Sequence, residues 1–290
     1  MFRKIAVGMG IALAALLLVD QAVIPDSRKP KLRADAEARI ARLEKGREIL
    51  SRACAAAGGL EKWQGKHDVS FRLTDHWSLP VSVWPGSNVE STHYYLLHRN
   101  IGRVEMNTEK GFHQWGLLEG RPWALLNGEV DSPGVKQAEY AIKNFAYFFG
   151  LPFKFLDAGA YSEFVGEEIQ NGRTYDKVYV SFGLNVGFYP TDWFLAYFDH
   201  ATGRLASVIY TSVEKSPSFM EYVAAFDAYQ EFEGLIVPTN VSVKMARPVS
   251  GIKIHEWQIR DLRFDAGLDE TFFQLPNASQ RHAVLSMSAH

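Results

Sequence analysis

From Val69 onward the chain repeats one pattern, and that pattern limits the fold more than any other feature. Val69, Phe71, Leu73 and Trp77 alternate with Ser70, Arg72 and Thr74, and a period of two is the signature of a strand with one face buried. Similar runs recur at 94–106, 111–118, 123–126, 164–170, 175–182, 193–199, 204–213, 219–229, 237–245 and 252–264. Turn signals separate them. Asn171-Gly172 is a strong hairpin signal, and His200-Ala201-Thr202-Gly203 reads as a hairpin loop between two aromatic-rich strands. Many strands joined by short turns, without interleaved helices, mean an antiparallel sheet. Within 252–264 the apolar phase slips from Ile252/Ile254 to Trp257/Ile259 and then to Leu262/Phe264. Such a slip predicts bulges, and bulges bend a sheet toward a barrel.

Two stretches break the pattern. From Ala34 to Ala57, apolar residues recur at Ile40, Leu43, Ile49, Leu50, Ala53 and Cys54 among alternating charges, ended by Gly58-Gly59. This spacing predicts a helix over 34–57 with a narrow apolar stripe and a glycine C-cap. Cys54 falls on the stripe and reads as a small buried hydrophobe. The second stretch is 135–149, a helix-like run ending in Gly150-Leu151-Pro152, with Phe153 and Phe155 just beyond. Five phenylalanines and two tyrosines lie between 140 and 155, more than a solvent-facing connection needs. Either this segment plugs the core or it lines an apolar cavity.

The N-terminus carries an address. Met1 to Lys4 is basic, and an uncharged apolar run of fifteen residues, 5–19, follows. A basic stretch before an apolar one is an export signal. Continued to Ile24, the run makes roughly 30 Å of helix, enough to span a bilayer. Cleavage after Ala22 would place Asp20 where a small residue is wanted, and no cysteine follows for lipid attachment. Segment 1–24 is therefore expected to be a signal peptide or an uncleaved anchor, with 25–33 a linker and 34–290 one domain. Arg28, Lys29, Lys31 and Arg33 follow the run and Arg3 and Lys4 precede it, so charge does not set the orientation.

Composition excludes several classes. With 31 basic and 33 acidic side chains the net charge is −2, too little positive charge for sequence-independent nucleic-acid binding. An apolar content of 47% excludes disorder. A single cysteine cannot form an internal disulfide or a thiolate metal cluster. There is no G-x-S-x-G elbow, P-loop or G-x-G-x-x-G, and none of the nine histidines sits in an H-E-x-x-H or H-x-H pattern. His255 and Glu256 adjoin on a strand and point to opposite faces. Asp192 and Asp199 flank one strand about 23 Å apart if extended, too far for a joint acid/base site. The expectation is a non-enzymatic protein with no catalytic residue, metal ligand or cofactor.

Several stretches, read together, resemble the bacterial LolA/LolB-like superfamily of outer-membrane lipoprotein-sorting proteins. They are Ala55-Ala56-Ala57-Gly58-Gly59-Leu60-Glu61-Lys62-Trp63, Tyr147-Phe148-Phe149-Gly150-Leu151-Pro152 with Leu156-Asp157-Ala158-Gly159, and the 172–182 strand with Tyr175, Val178, Val180 and Phe182. Tyr189-Pro190-Thr191-Asp192-Trp193-Phe194 through Thr202-Gly203 to Tyr210, Gly234-Leu235-Ile236-Val237-Pro238-Thr239, and Leu268-Asp269 with Phe272 complete the set. The resemblance covers about 55–276. It implies a half-open, curved antiparallel β-barrel of about nine to eleven strands, with an N-terminal helix and a short helical lid over an apolar cavity. It also implies a periplasmic protein of the bacterial envelope, held at the inner membrane if the N-terminal segment is not cleaved. The chain is longer than the carriers and lacks the acceptor's lipid-modified cysteine, so the resemblance implies apolar-ligand binding rather than lipoprotein transfer.

The expected partner is a lipid, acyl chain or other hydrophobic small molecule, with a membrane protein or lipoprotein as a further one, and no nucleic acid. Phe145, Phe148, Phe149, Phe153 and Phe155 are the expected cavity and lid residues. The 193–199 strand adds Trp193 and Tyr197 with Leu195, or, in the other phase, Phe194 and Phe198. Two other readings stay open. One is an envelope scaffold with a filled barrel. The other is a hydrolase using polar residues convergent in the pocket, for which Asp157, Asp192 and Asp199 come from matched stretches.

Overall fold

The structure is a computed structural model that describes residues 29–78, 87–182, 193–211 and 219–277. Segment 1–24, read as signal or anchor, lies outside the described residues, as does Asp192. Among the described residues no helix is long and apolar enough to cross a membrane. Two compact units meet in sequence between Lys45 and Gly46. Helix α1 (Lys29–Ala56) runs through that boundary, starting within the stretch read as linker. Its stripe is buried at Ile49, Leu50, Ala53 and Cys54, whereas Ile40 is exposed.

From Gly46 onward, a short helix α2 (Leu60–Gln64) leads into thirteen strands among the described residues. These are β1 (Asp68–Trp77), β2 (Glu90–Leu96), β3 (Ile101–Thr108), β4 (Gly111–Leu118), β5 (Arg121–Leu126) and β6 (Glu129–Val130). Helix α3 (Val135–Phe149) follows, then β7 (Ala160–Gln170), β8 (Arg173–Phe182), β9 (Trp193–Asp199), β10 (Leu205–Thr211), β11 (Glu221–Phe232), β12 (Leu235–Arg247) and β13 (Lys253–Phe264). All thirteen form one open, curved antiparallel sheet in the order β6-β5-β4-β3-β2-β1-β13-β12-β11-β10-β9-β8-β7. Two meanders, β1–β6 and β7–β13, are joined where the first strand pairs with the last.

The strand count exceeds the expected nine to eleven for two reasons. The run 94–106 is not one strand: it belongs to two strands joined by a tight turn at Leu97–Asn100. That turn contains neither Gly nor Pro, and His98 alone takes the left-handed conformation (φ 62°). The second addition is β6, two residues long and too short to show a period.

The phase slip in 252–264 has its structural counterpart. Asp261 has φ 51°, and the β1–β13 register jumps from Ser70↔Arg263 to Arg72↔Arg260 around it. A second jump, between Val243 and Lys244, interrupts β12–β13. Each bulge adds local twist and curls the sheet. The Asn171-Gly172 hairpin closes with both residues at positive φ, 49° and 76°, the geometry of a primed turn matched to strand twist.

The topology then dictates where α3 lies. The chain leaves the sheet at one edge, β6, and re-enters at the other, β7, so the intervening segment must span the sheet, and α3 packs on one face of it. Its rings meet both meanders: Phe149 stacks on Phe71 of β1 at 5.1 Å, and Tyr147 stacks on Phe194 of β9 at 5.5 Å. The helical lid is thus a consequence of connectivity as much as of composition.

Strands β3 and β4 depart from simple alternation, with consecutive buried residues over Ile101–Val104 and His113–Leu117. The segment after β13 covers their outer face. Asp68 accepts hydrogen bonds from the backbone N–H groups of Ala266, Gly267 and Leu268, at 2.8, 3.1 and 3.1 Å. A 3₁₀ turn, Glu270–Phe273, then lays Phe272 under the Arg103 guanidinium at 4.7 Å and brings the Phe273 carbonyl within 2.9 Å of Trp123 Nε1, which donates to it.

The C-terminal end of α1 is seated on the β11–β12 hairpin. Ile236 N–H donates to the Ala57 carbonyl at 2.9 Å. Gly58 has φ 106°, and a Cβ there would lie 2.3 Å from the Gly234 carbonyl oxygen. Only glycine meets both conditions.

Candidate functional site

Building the concave face from its side chains upward, α3 supplies most of the volume. Ala138, Ala141, Ile142, Phe145, Phe148 and Phe149 are all buried, at the three- and four-residue spacings that place side chains on one helix face. Phe145 and Phe148 meet Trp257 of β13 edge-on at 4.9 and 5.6 Å. Phe148 also meets Tyr210 at 5.0 Å, and Phe155 meets Phe194 at 5.5 Å. Rings buried this way contribute about 1.5–3 kcal/mol each relative to exposure, with a further gain from edge-on geometry.

Each expected site residue has a definite place. Phe145, Phe148, Phe149, Phe153 and Phe155 all lie in the central hydrophobic cluster, between 1% and 8% exposed. Of the two phases open for the 193–199 strand, Phe194 points toward α3, touching Tyr147, Phe148 and Phe155. Phe198 shares its phase and is fully buried. Trp193 and Tyr197 occupy the other face: Trp193 stacks on Tyr179 at 6.2 Å, and Tyr197 hydrogen-bonds Glu168. Alternation alone cannot say which phase faces inward when both are aromatic.

At the C-terminal end of α3 the packing opens into a cleft of about 330 Å³. Its apolar lining is Trp63, Tyr95, Tyr147 and Phe149, and its polar rim includes His98, Arg99, Lys143, Lys154 and Asp157. Trp63 lies flat on Phe153 at 4.8 Å with its plane within 4° of parallel. Phe149 is thus shared between the interior stack and the cleft, which connects the aromatic core to solvent. Lys143 pairs with Glu139 one turn earlier, Lys154 with Asp157 at 3.1 Å, and Arg99 with Glu270.

Behind Tyr95 runs a buried polar ladder on β2. Ser91 Oγ donates to the Leu73 carbonyl at 3.2 Å and lies 2.9 Å from His93 Nε2, while His93 Nδ1 lies 2.8 Å from the Tyr95 hydroxyl. With Ser91 donating to the carbonyl, Nε2–H donates to Ser91 and Tyr95 donates to Nδ1, so the imidazole is neutral. Burial pushes the His93 pKa down to about 3 and the Tyr95 phenol well above its ordinary value. Cys54, buried on α1, has its thiol pushed up to about 12 by burial and is therefore no nucleophile.

Two clusters bring together titratable groups that are far apart in sequence. Asp75, 1% exposed, lies 2.7 Å from His255 Nδ1 and accepts from Trp77 Nε1 at 2.8 Å. Trp257 Nε1 donates toward the same His255 nitrogen at 3.0 Å, and Glu256 on the other face pairs with Lys253. The second cluster joins Glu167, Asp176 and His200, whose ligand atoms lie within 4.8 Å of one another. There Asp176, 1% exposed, accepts from the Arg52 guanidinium, so its charge is already balanced by a cation from α1. Asp157 and Asp199, the described acids of the hydrolase reading, serve Lys154 and the Thr202 turn respectively.

The cleft was not read from sequence, although one signal existed. Between Tyr140 and Phe155 the only charged residues are Lys143 and Lys154, and both stand on its rim. The ladder behind it was illegible, because Ser91, His93 and Tyr95 look like an ordinary alternating strand.

From Gly46 onward the described residues thus form an open, curved antiparallel sheet with an aromatic helix packed on it and a cleft at the helix end. The chain is similar in fold to several solved structures. The LolA superfamily protein of Nitrosomonas europaea is 10% identical, with 79% of this chain and 97% of that one covered at a TM-score of 0.46. A DUF1329 family protein of Desulfovibrio piger is 13% identical, with 84% and 99% covered at 0.44. An outer membrane lipoprotein-sorting protein domain of Vibrio parahaemolyticus is 14% identical, with 84% and 99% covered at 0.42. No family model matches the chain, and no curated protein matches it.

Proposed function

We propose that the protein is a non-enzymatic envelope protein that binds a hydrophobic ligand, a lipid or acyl chain, beneath and beside α3. The observation that carries this reading is the 330 Å³ cleft, whose lining rings, Trp63 and Phe149, are also members of the interior stack. Its size is at the lower end of small-molecule sites, about 300–1,000 Å³. A chain entering there slides along Phe149 and displaces the rings of α3 from the sheet. Phe145, Phe148, Phe149, Phe153, Phe155 and Phe194 are the residues it meets. The basic start and apolar run 5–19 support a periplasmic location, with 34–290 as the ligand-binding domain and 1–24 as its signal or tether.

Native mass spectrometry of the membrane-extracted full chain tests the proposal. Lipid adducts of defined mass are expected, lost on mild activation. A ligand-free spectrum from membranes and after incubation with acyl lipids would end the reading. One observation favours a second reading, a scaffold with a filled barrel: Phe145, Phe148 and Phe155 are between 1% and 6% exposed and surrounded by partner rings. That ligand-free outcome would leave the scaffold standing.

A further inference from the structure

We infer that the cleft selects an anionic amphiphile: a single-chain lipid whose carboxylate or phosphate head is held by Lys143 and Lys154. The inference rests on the hydrophobic-ligand reading and adds to it which lipids are admitted. Three observations converge. In the aromatic-rich stretch 140–155 the only two charges are lysines, and the fold sets both in the lining of one cleft although eleven positions separate them. Arg99, from the β2–β3 turn, adds a third cation on the rim, so the lining carries three fixed positive charges against the single carboxylate of Asp157. Trp63, Tyr95, Tyr147 and Phe149 line the same cleft, so polar and apolar groups lie side by side, as an amphiphile requires.

Each cation already has an acidic neighbour, and those pairs are partly exposed to solvent. The side chains of Lys143 and Lys154 are 28% and 27% exposed, and their partners Glu139 and Asp157 are 36% and 48% exposed. Arg99 and Glu270 are 46% and 47% exposed. Solvent-screened pairs of this kind contribute little, so the lysines can turn to a ligand anion at small cost. The present pairs are charge-assisted hydrogen bonds as well, but an anion seated against the aromatic rings is less screened than Glu139 or Asp157 and holds the lysines more strongly. Tyr95, which also lines the cleft, is hydrogen-bonded through His93 to Ser91.

The test compares three lipids with one oleoyl or oleic chain and different heads, each below its critical micelle concentration: oleate, oleoyl glycerophosphate and monoolein. They are titrated into the delipidated full chain and into the Lys143→Gln/Lys154→Gln double variant, whose fold is checked by circular dichroism. The wild type is expected to bind at least one anionic lipid about tenfold or more tightly than monoolein, the factor of one charge-assisted hydrogen bond. Preference for oleate alone assigns a carboxylate head, and preference for the glycerophosphate alone assigns a phosphate. The double variant is expected to lose the preference while keeping its monoolein affinity within about twofold. Equal binding of all three lipids by the wild type, or an undiminished preference in the variant, overturns the inference. Failure of all three to bind overturns the hydrophobic-ligand reading itself.

Discussion

On one side of α3, Phe145 and Phe148 stand edge-on against Trp257 with their rings wholly inside the hydrophobic cluster. On the other, Lys143 and Ala146 border a cleft, and Phe149 is shared between the two. Both sides come from one aromatic run, yet one serves packing and the other brings Lys143 and Lys154 to a cleft that aromatic rings also line. The difference teaches that aromatic excess marks a place, while the charges within it mark the side open to function.

The sharpest way to test that division is to truncate the packed side. Phe148→Ala is expected to lower stability by about 3–5 kcal/mol in chemical denaturation of the ligand-free protein, and to weaken retention of bound lipid. A full stability loss with unchanged lipid content would make α3 a plug and remove the functional distinction between its sides.

The buried ladder behind the cleft gives the next largest effect. His93 has a folded pKa of about 3 against about 6.5 when unfolded, so the unfolded chain binds more protons between those values. Its contribution is complete above pH 6.5 and is lost as pH falls toward 3, at up to about 1.4 kcal/mol per unit. Over two units this reaches about 2–3 kcal/mol. His93→Gln should flatten the slope of stability against pH in that window. An unchanged slope would show that His93 takes a proton in the folded state.

Away from α3, Arg52→Ala should cost about 1–2 kcal/mol. It leaves the Asp176 carboxylate buried with His200 alone, but Arg52 itself is 42% exposed, so the loss is smaller than for a sealed pair. A thermal shift under half a degree would place Asp176 in better contact with water than its burial indicates.

Smallest is the cleft side. Lys143→Gln should change stability by less than about 0.5 kcal/mol, the size of an i,i+4 pair. Urea denaturation checks this. A loss as large as that of Phe148→Ala would mean that the cleft side, too, is structural.

Much of the fold was legible because strand and helix periods are local. Alternation located eleven of the runs, the phase slip marked the bulge at Asp261, and Gly58-Gly59 marked the end of α1. What stayed illegible was either too short to have a period, as in β6, or lacked turn residues, as at His98. Burial of the outer side of β3, where Arg103 donates to the Phe272 carbonyl, depended on a segment 169 residues later in the chain, which no window of sequence contains.

Residue pattern alone therefore decided the class, an antiparallel sheet with an N-terminal helix bearing a narrow apolar stripe and an aromatic second helix, because backbone geometry ties those periods to those elements. It also decided that Cys54 is buried and that α3 must cover something apolar. Only the tertiary structure decided which phase of β9 faces inward, that Lys143 and Lys154 share a rim with Arg99, and that Arg52 neutralises Asp176. Those facts depend on the register of thirteen paired strands and on a helix forced across them by connectivity. Side chains far apart in sequence meet only after the sheet has curved.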